Sequence, residues 1–310
     1  MNQYANMIRS LKSPEGMQRL MHLYGDRDGM LVEQTGRYTG IIKRHEELFH
    51  ETEKDVLLIS APGRTEIGGN HTDHNFGRVL AGSVNLDVIA VGRPTDGIIR
   101  MQSEGYPMLT VDTAELIPVD SEQNGSASLI RGTAARFADL DYAIGGFDAY
   151  ATSNVLKGSG LSSSAAFEVL IGKIISGLFF ENSVPAVRLA QFGKIAENDY
   201  FGKPCGLMDQ TACAVGGFIT IDFETLGSPV IEKMDFDLTS AGYRLCIVNT
   251  GGNHADLNDD YASVPGEMKK VAAKLGVPVL RQTSREALNK LLATSDGSEI
   301  RAELGDRAIM

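Results

Sequence analysis

The residues best placed by type and spacing to do chemistry fall in four short stretches. In Leu156–Val169 (LKGSGLSSSAAFEV), Gly158 and Gly160 flank Ser159, and Ser162, Ser163 and Ser164 lead from Leu161 into Ala165 and an apolar run. Glycines let a backbone approach a ligand closely. Amides at a helix N-terminus attract anions, hydroxyls add donors, and one hydroxyl can ligate Mg²⁺. The combination suits a phosphate group. The plainer alternative is a Ser-rich helix cap, although a cap needs only one serine. A Walker A loop is excluded, because that motif needs Lys after its last glycine and here Lys157 precedes Gly158.

The second stretch, Ala61–Leu80 (APGRTEIGGNHTDHNFGRVL), gathers Arg64, His71, Asp73 and His74 in a glycine-rich segment. Carboxylate and imidazole pairs suit the paired donors and acceptors of vicinal sugar hydroxyls. A transition-metal site and an ordinary satisfied surface loop are the alternatives, and no second ligand cluster lies nearby in sequence. The third stretch, Ala196–Gly217, carries Glu197, and then Gly206 and Asp209 between Cys205 and Cys213. Read alone, Asp209 is as much a helix cap as a base. The fourth begins at Asn249 and contains Tyr261, which by itself reads as a helix-start residue packing on the core. His254 receives no role.

Hydrophobic spacing sets the elements that must hold these residues. Leu11, Met17, Leu20 and Leu23 predict short amphipathic helices in a polar segment 1–54. Val56–Ser60 predicts a buried strand that stops at the turn signal Ala61-Pro62-Gly63. Val79–Val91 reads as one or two strands, and Ile98–Gln102 and Met108–Asp112 as edge strands. A helix Leu129–Leu140 and a strand Gly146–Val155 precede the serine loop. Helices Ala165–Phe180 and Val187–Tyr200 follow it. A strand Phe218–Phe223, a linker at Gly227-Ser228-Pro229, a strand from Leu245 to Asn249 and a helix Tyr261–Leu275 complete the reading. Strands and helices mix without strict alternation, an α+β pattern.

The chain has 310 residues, room for about two domains. Its formal net charge of −11 argues against nucleic acid as a partner. No stretch approaches the roughly 20 apolar residues of a membrane span, and the first residues lack the apolar core of a signal peptide. Three cysteines, Cys205, Cys213 and Cys246, without a CxxC pair, read as reduced packing residues of a cytoplasmic protein.

Leu156–Ala165 matches, position by position, the ATP-binding loop of the GHMP kinases, and Ala61–Leu80 resembles the signature that distinguishes galactokinases among them. Ala196–Gly217 resembles that family's stretch ending Cys-Gly-x-Met-Asp-Gln. The resemblance covers about residues 55 to 275 and implies the two-domain GHMP kinase fold. After a helical extension 1–54, an N-terminal mixed-sheet ATP- and sugar-binding domain occupies 55–226. An incomplete ferredoxin-like C-terminal domain, with apolar surface left exposed, occupies 227–310. It also implies transfer of the ATP γ-phosphate to the anomeric hydroxyl of galactose. Gly158, Ser159, Gly160, Leu161, Ser162, Ser163, Ser164 and Ala165 would bind ATP, and Ser164 with Glu197 would bind Mg²⁺. Asn70, His71, Asp73, Gly206 and Tyr261 would bind sugar. Asp209 would be the catalytic carboxylate, accepting the proton or orienting the hydroxyl, with Arg64 beside it favouring its ionised form. Two positions depart from the family pattern: Asn70 stands where an acid is expected and His74 where a tyrosine is. The family's third, C-terminal glycine-rich motif is missing after Tyr261. These departures motivate two further readings, a kinase for a related sugar such as N-acetylgalactosamine and a catalytically impaired sugar and ATP sensor. The expected partners are small molecules, with no nucleic acid and no membrane.

Overall fold

Three helices open the chain: α1 (Gln3–Leu11), α2 (Pro14–Tyr24) and α3 (Met30–Phe49). The structure, a computed structural model, describes residues 2–50, 55–69, 72–140, 142–156, 158–225, 227–248 and 258–305. Local chemistry sets the helix ends. The Asn2 side chain accepts from the Ala5 amide, and Ser13 caps α2 with Pro14 in its first turn. Gly25 then ends α2 at a φ of 81°. The helices do not stand apart from the sheet. Tyr4, Leu20, Tyr38, Ile41 and Ile42 are buried in one cluster with Ile89, Val91 and Tyr150. Met17 and Leu23, expected on the buried face, are 37% and 49% exposed, and Tyr4 and Tyr24 occupy the interior instead. Tyr24 donates to Asp87 at 2.6 Å, and Arg37 pairs with the same carboxylate at 2.5 Å.

Contacts divide the chain into two units. The first comprises residues 1–65, 83–157 and 161–216; the second comprises 66–82, 158–160 and 217–310. Strand β1 (Leu57–Gly68) does not stop at Ala61-Pro62-Gly63 as expected, but runs through it. The reason is positional. Among the described residues β1 pairs with β2 (Arg78–Thr95) alone, so Pro62 sits on an edge strand, where a missing N–H is tolerated. Gly63 serves close approach, since a Cβ there would lie 2.9 Å from the Leu161 carbonyl oxygen.

The 18 residues of β2 form one strand. Val88–Thr95 pairs antiparallel with β5 (Gly146–Ser153), which lies parallel to β3 (Ile98–Ser103), and β3 pairs antiparallel with β4 (Leu109–Asp112). Helices α4 (Ser126–Ala138), α5 (Ser163–Phe179), α6 (Ala186–Ile195) and α7 (Met208–Val215) supply the first unit's other core. Ile130, Phe137, Phe147, Val169, Leu170, Ile174 and Phe192 are buried there. Expected as one helix, Val187–Tyr200 is instead α6 followed by a wide π-type turn, Ala196–Phe201, that contains Glu197.

In the second unit, Arg78–Gly82 of β2 pairs with β6 (Phe218–Asp222), which pairs with β7 (Val230–Met234). Gly227–Pro229, read as a linker, therefore lies in a connection between paired strands. Residues 245–248 form no strand, and Asn249 lies outside the described residues. Phe236, Tyr243, Leu245 and Val248 are exposed. Helices α8 (Asn258–Lys274), α9 (Arg285–Leu292) and α10 (Ser295–Leu304) follow. Arg281 reaches back to Asp222 and to the Phe76 carbonyl at 2.7 Å. Among the described residues no helix is long and apolar enough to cross a membrane.

Candidate active site

Two carboxylates, 12 residues apart in sequence, organise the polar interior of the first unit. Asp209 stands in the first turn of α7. Arg64 of β1 grips it with a two-point fork, Nε to Oδ1 and Nη2 to Oδ2, both at 2.7 Å. The fork is the strong, orienting form of an arginine–carboxylate pair. Arg64 is held in turn by its backbone amide, which donates to the Leu161 carbonyl at 3.0 Å. Gly63 thus brings strand and serine loop close enough for the following arginine to reach the carboxylate.

Ser162 supplies a third donor. Its hydroxyl donates to Asp209 Oδ2 at 2.6 Å. The residue occupies the cap position of α5 with φ 59° and ψ 60°, a left-handed conformation uncommon outside glycine, and its side chain does not cap the helix. Helix capping therefore does not explain Ser162. Gly158 and Gly160 take positive φ values of 75° and 76°, as a tight loop requires. The side chains of Leu161 and Ala165 are buried in the core, so only their backbones face the loop. Lys157 lies outside the described residues.

The second carboxylate is Glu197, buried at the π-type turn. Ser164 donates to its Oε1 at 3.0 Å, and Lys203 Nζ lies 3.3 Å from the same oxygen. Gln210, next to Asp209 in sequence, donates from Nε2 to Glu197 Oε2 at 3.0 Å and to Glu168 Oε2 at 3.0 Å. Glu168 is fully buried on α5, and burial first, then the nearby Glu197 charge, raises its carboxyl well above the usual range. Burial likewise pushes the thiols of Cys205 and Cys213 up, in keeping with packing rather than reactive cysteines.

Ser162's contact with Asp209, Glu168 and Gln210 were not found from the sequence. One signal was present: Ser164 and Glu168 are four residues apart, so they share a face of α5.

Gly206 is half-buried just before α7. Asp73, in a short 3₁₀ turn Thr72–Asn75 of the second unit, is buried and accepts from the His74 amide at 3.0 Å. Asn70 and His71 lie outside the described residues, as does the side chain of Tyr261, whose backbone belongs to α8.

Comparison with known proteins follows the same division of motifs. Residues 128–217 match the family described as GHMP kinases N terminal domain, and residues 43–94 match the galactokinase galactose-binding signature. The chain is 29% identical over 269 residues to a galactokinase of Lactococcus lactis subsp. cremoris, covering 83% of this chain and 65% of that protein. It is 32% identical over 267 residues to a galactokinase of Streptomyces coelicolor, covering 84% of this chain and 67% of that protein. It thus spans about two thirds of the length of these relatives. In structure it is similar to Lactococcus lactis galactokinase complexed with galactose, with a TM-score of 0.66, 24% identity, and 82% of this chain and 67% of that one covered. It also matches a Methanococcus jannaschii mevalonate kinase, with a TM-score of 0.53, 17% identity, and 82% and 80% covered. The mixed α/β architecture is therefore that of the GHMP kinases, and the identity to the Streptomyces enzyme, with both family matches, shows that this chain belongs to the galactokinase family.

Proposed function

We propose that this protein transfers the γ-phosphoryl group of ATP to the anomeric hydroxyl of galactose, giving galactose 1-phosphate and ADP. The observation that carries the reading is the convergence of Arg64 and Ser162 on Asp209. The hydrogen bonds donated by Arg64 and Ser162 hold that carboxylate in a fixed direction. Its role is then to orient the anomeric hydroxyl and to take its proton late, as the new O–P bond forms and the bond to the ADP oxygen breaks. Phosphoryl transfer needs mainly positioning and charge neutralisation, and Arg64 contributes a fixed positive charge at the same place.

The segment Gly158–Ala165 would hold the triphosphate, with loop glycines and the first turn of α5 presenting amides. Ser164 and Glu197 would hold Mg²⁺. Their two oxygens lie 3.0 Å apart, so a hydroxyl and a carboxylate oxygen are offered together, the hard-oxygen donors that Mg²⁺ takes. Such an ion would neutralise phosphate charge. Asn70, His71, Asp73, Gly206 and Tyr261 are proposed as sugar contacts, on the family pattern and the galactose named for the Lactococcus structure. A cytoplasmic location and domain limits of 1–54, 55–226 and 227–310 belong to the same proposal.

A coupled ADP-release assay over a panel of hexoses and N-acetylgalactosamine tests it, with Asp209→Ala as control. Galactose-dependent turnover abolished by Asp209→Ala is expected. Equal turnover by the variant would overturn the role of Asp209, and binding of galactose and ATP without turnover would replace the kinase with a sensor.

A further inference from the structure

A buried polar pair beneath Glu197 has no part in the scheme above. Glu168 is fully buried, its Oε1 has no hydrogen-bond partner among the described residues, and its Oε2 accepts from Gln210. An apolar side chain of similar volume would fill the space without the cost of desolvating a carboxyl group. The surrounding fold is nevertheless shaped to admit it. A Cβ at Gly193 of α6 would come within 2.9 Å of Glu168 Oε2 and 3.2 Å of Gln210 Cγ. Gly132 of α4 leaves room for the π-type turn in the same way, since a Cβ there would lie 2.8 Å from Ala196 Cα. Turns of this width recur at functional sites.

We infer that Glu168 and Gln210 are a positioning pair for the metal-side carboxylate, an inference that rests on the function proposed above. Glu168 fixes the Gln210 amide by accepting one of its two N–H groups. The other N–H occupies Glu197 Oε2, which leaves Oε1 turned toward Ser164. Neither Glu168 nor Gln210 touches substrate in this arrangement; both act through Glu197.

The test compares wild type with Gln210→Met, Glu168→Met and the conservative Glu168→Gln. Mn²⁺ binding in the presence of ADP is read by electron paramagnetic resonance, and galactose binding by calorimetry without metal or nucleotide. Loss of outer partners of a ligand commonly weakens metal binding about 10- to 100-fold, and a loss in that range is expected for both methionine variants. Glu168→Gln, whose amide oxygen still accepts from Gln210, should retain the affinity, and galactose binding should stay unchanged in all three. Glu168→Met removes a buried carboxyl group but strands one Gln210 N–H, so its melting temperature is measured beside its Mn²⁺ affinity. Unchanged Mn²⁺ affinity in both folded methionine variants, or a parallel loss of galactose binding, overturns the positioning role while leaving the kinase reading intact. A wild-type chain that binds neither galactose nor Mn²⁺ with ADP overturns the kinase reading and the pair's role with it. If Glu168→Met does not fold, Gln210→Met decides, since it removes the same amide bridge.

Discussion

Replacing Ser162 by alanine and, separately, by glycine separates its hydroxyl from its backbone. Both variants lose the 2.6 Å hydrogen bond to Asp209 Oδ2. A hydrogen bond to a charged group is worth about 1.5–3 kcal/mol. At about 1.4 kcal/mol per tenfold, losing that orientation in the transition state lowers kcat/KM by roughly 10- to 100-fold. The two Arg64 bonds remain, so a much larger loss is not expected. Stability should split the pair. Alanine keeps the cost of holding a Cβ residue at φ 59°, whereas glycine relieves it. The glycine variant should therefore be more stable than the alanine variant by up to about 1 kcal/mol, a melting difference of about 2 °C for a chain of this size. Galactose-dependent ADP release measures the first effect and scanning calorimetry the second. Full kcat/KM in both variants would refute the idea that Ser162 holds the carboxylate. An alanine variant as stable as the glycine variant would refute the strain argument.

Arg64→Lys should lower kcat/KM at least tenfold, because a point ammonium cannot reproduce the two-point fork; near-normal turnover in the same assay would show that charge alone suffices. Gly63→Ala should lower both melting temperature and turnover, since the new Cβ meets the Leu161 carbonyl at 2.9 Å and displaces the serine loop; unchanged values would show that the contact relaxes freely. His45 is buried between the Tyr4 hydroxyl at 3.0 Å and the Asp148 carbonyl at 3.1 Å, so Nε2 carries the proton and Nδ1 accepts from tyrosine. Burial lowers its pKa to about 4. The sign follows: the neutral form is favoured on folding, so its contribution is complete above the unfolded pKa of about 6.5 and declines as pH falls toward 4, by on the order of 3 kcal/mol. Melting curves between pH 7.5 and 4.5 should be less pH-dependent for His45→Gln than for wild type, and identical slopes would refute the assignment.

Much of the site was legible because phosphate and sugar chemistry restrict residue types over short stretches. The serine loop and the cluster around Arg64 stand out through local composition, Glu197 and Asp209 only through resemblance to a family pattern, and a helix from Ala165 follows from the apolar run there, two residues short of its start at Ser163. Local reading failed where a residue answers to a distant neighbour. Ala61-Pro62-Gly63 carries the composition of a turn, yet remains strand because Pro62 lies on an edge and Gly63 faces Leu161. Met17 and Leu23 keep a helical period, but the sheet surface selects Tyr4 and Tyr24 for burial.

The sequence by itself determined which functional groups are present, their order, and the elements that begin and end around them, because periodicity, glycine and proline act over a few residues. Tertiary structure decided what those groups do to one another. Arg64 and Asp209 are 145 positions apart, Ser162 and Asp209 are 47, and Ser164 and Glu197 are 33. Only the packing of β1, α5, α6 and α7 brings them within hydrogen-bond range. The same packing gave Ser162 a carboxylate to orient instead of a helix to cap, and it buried Glu168 against the amide of the residue beside Asp209. Hydrogen bonds form over about 3 Å and are blind to sequence separation, so their partners are a property of the folded chain.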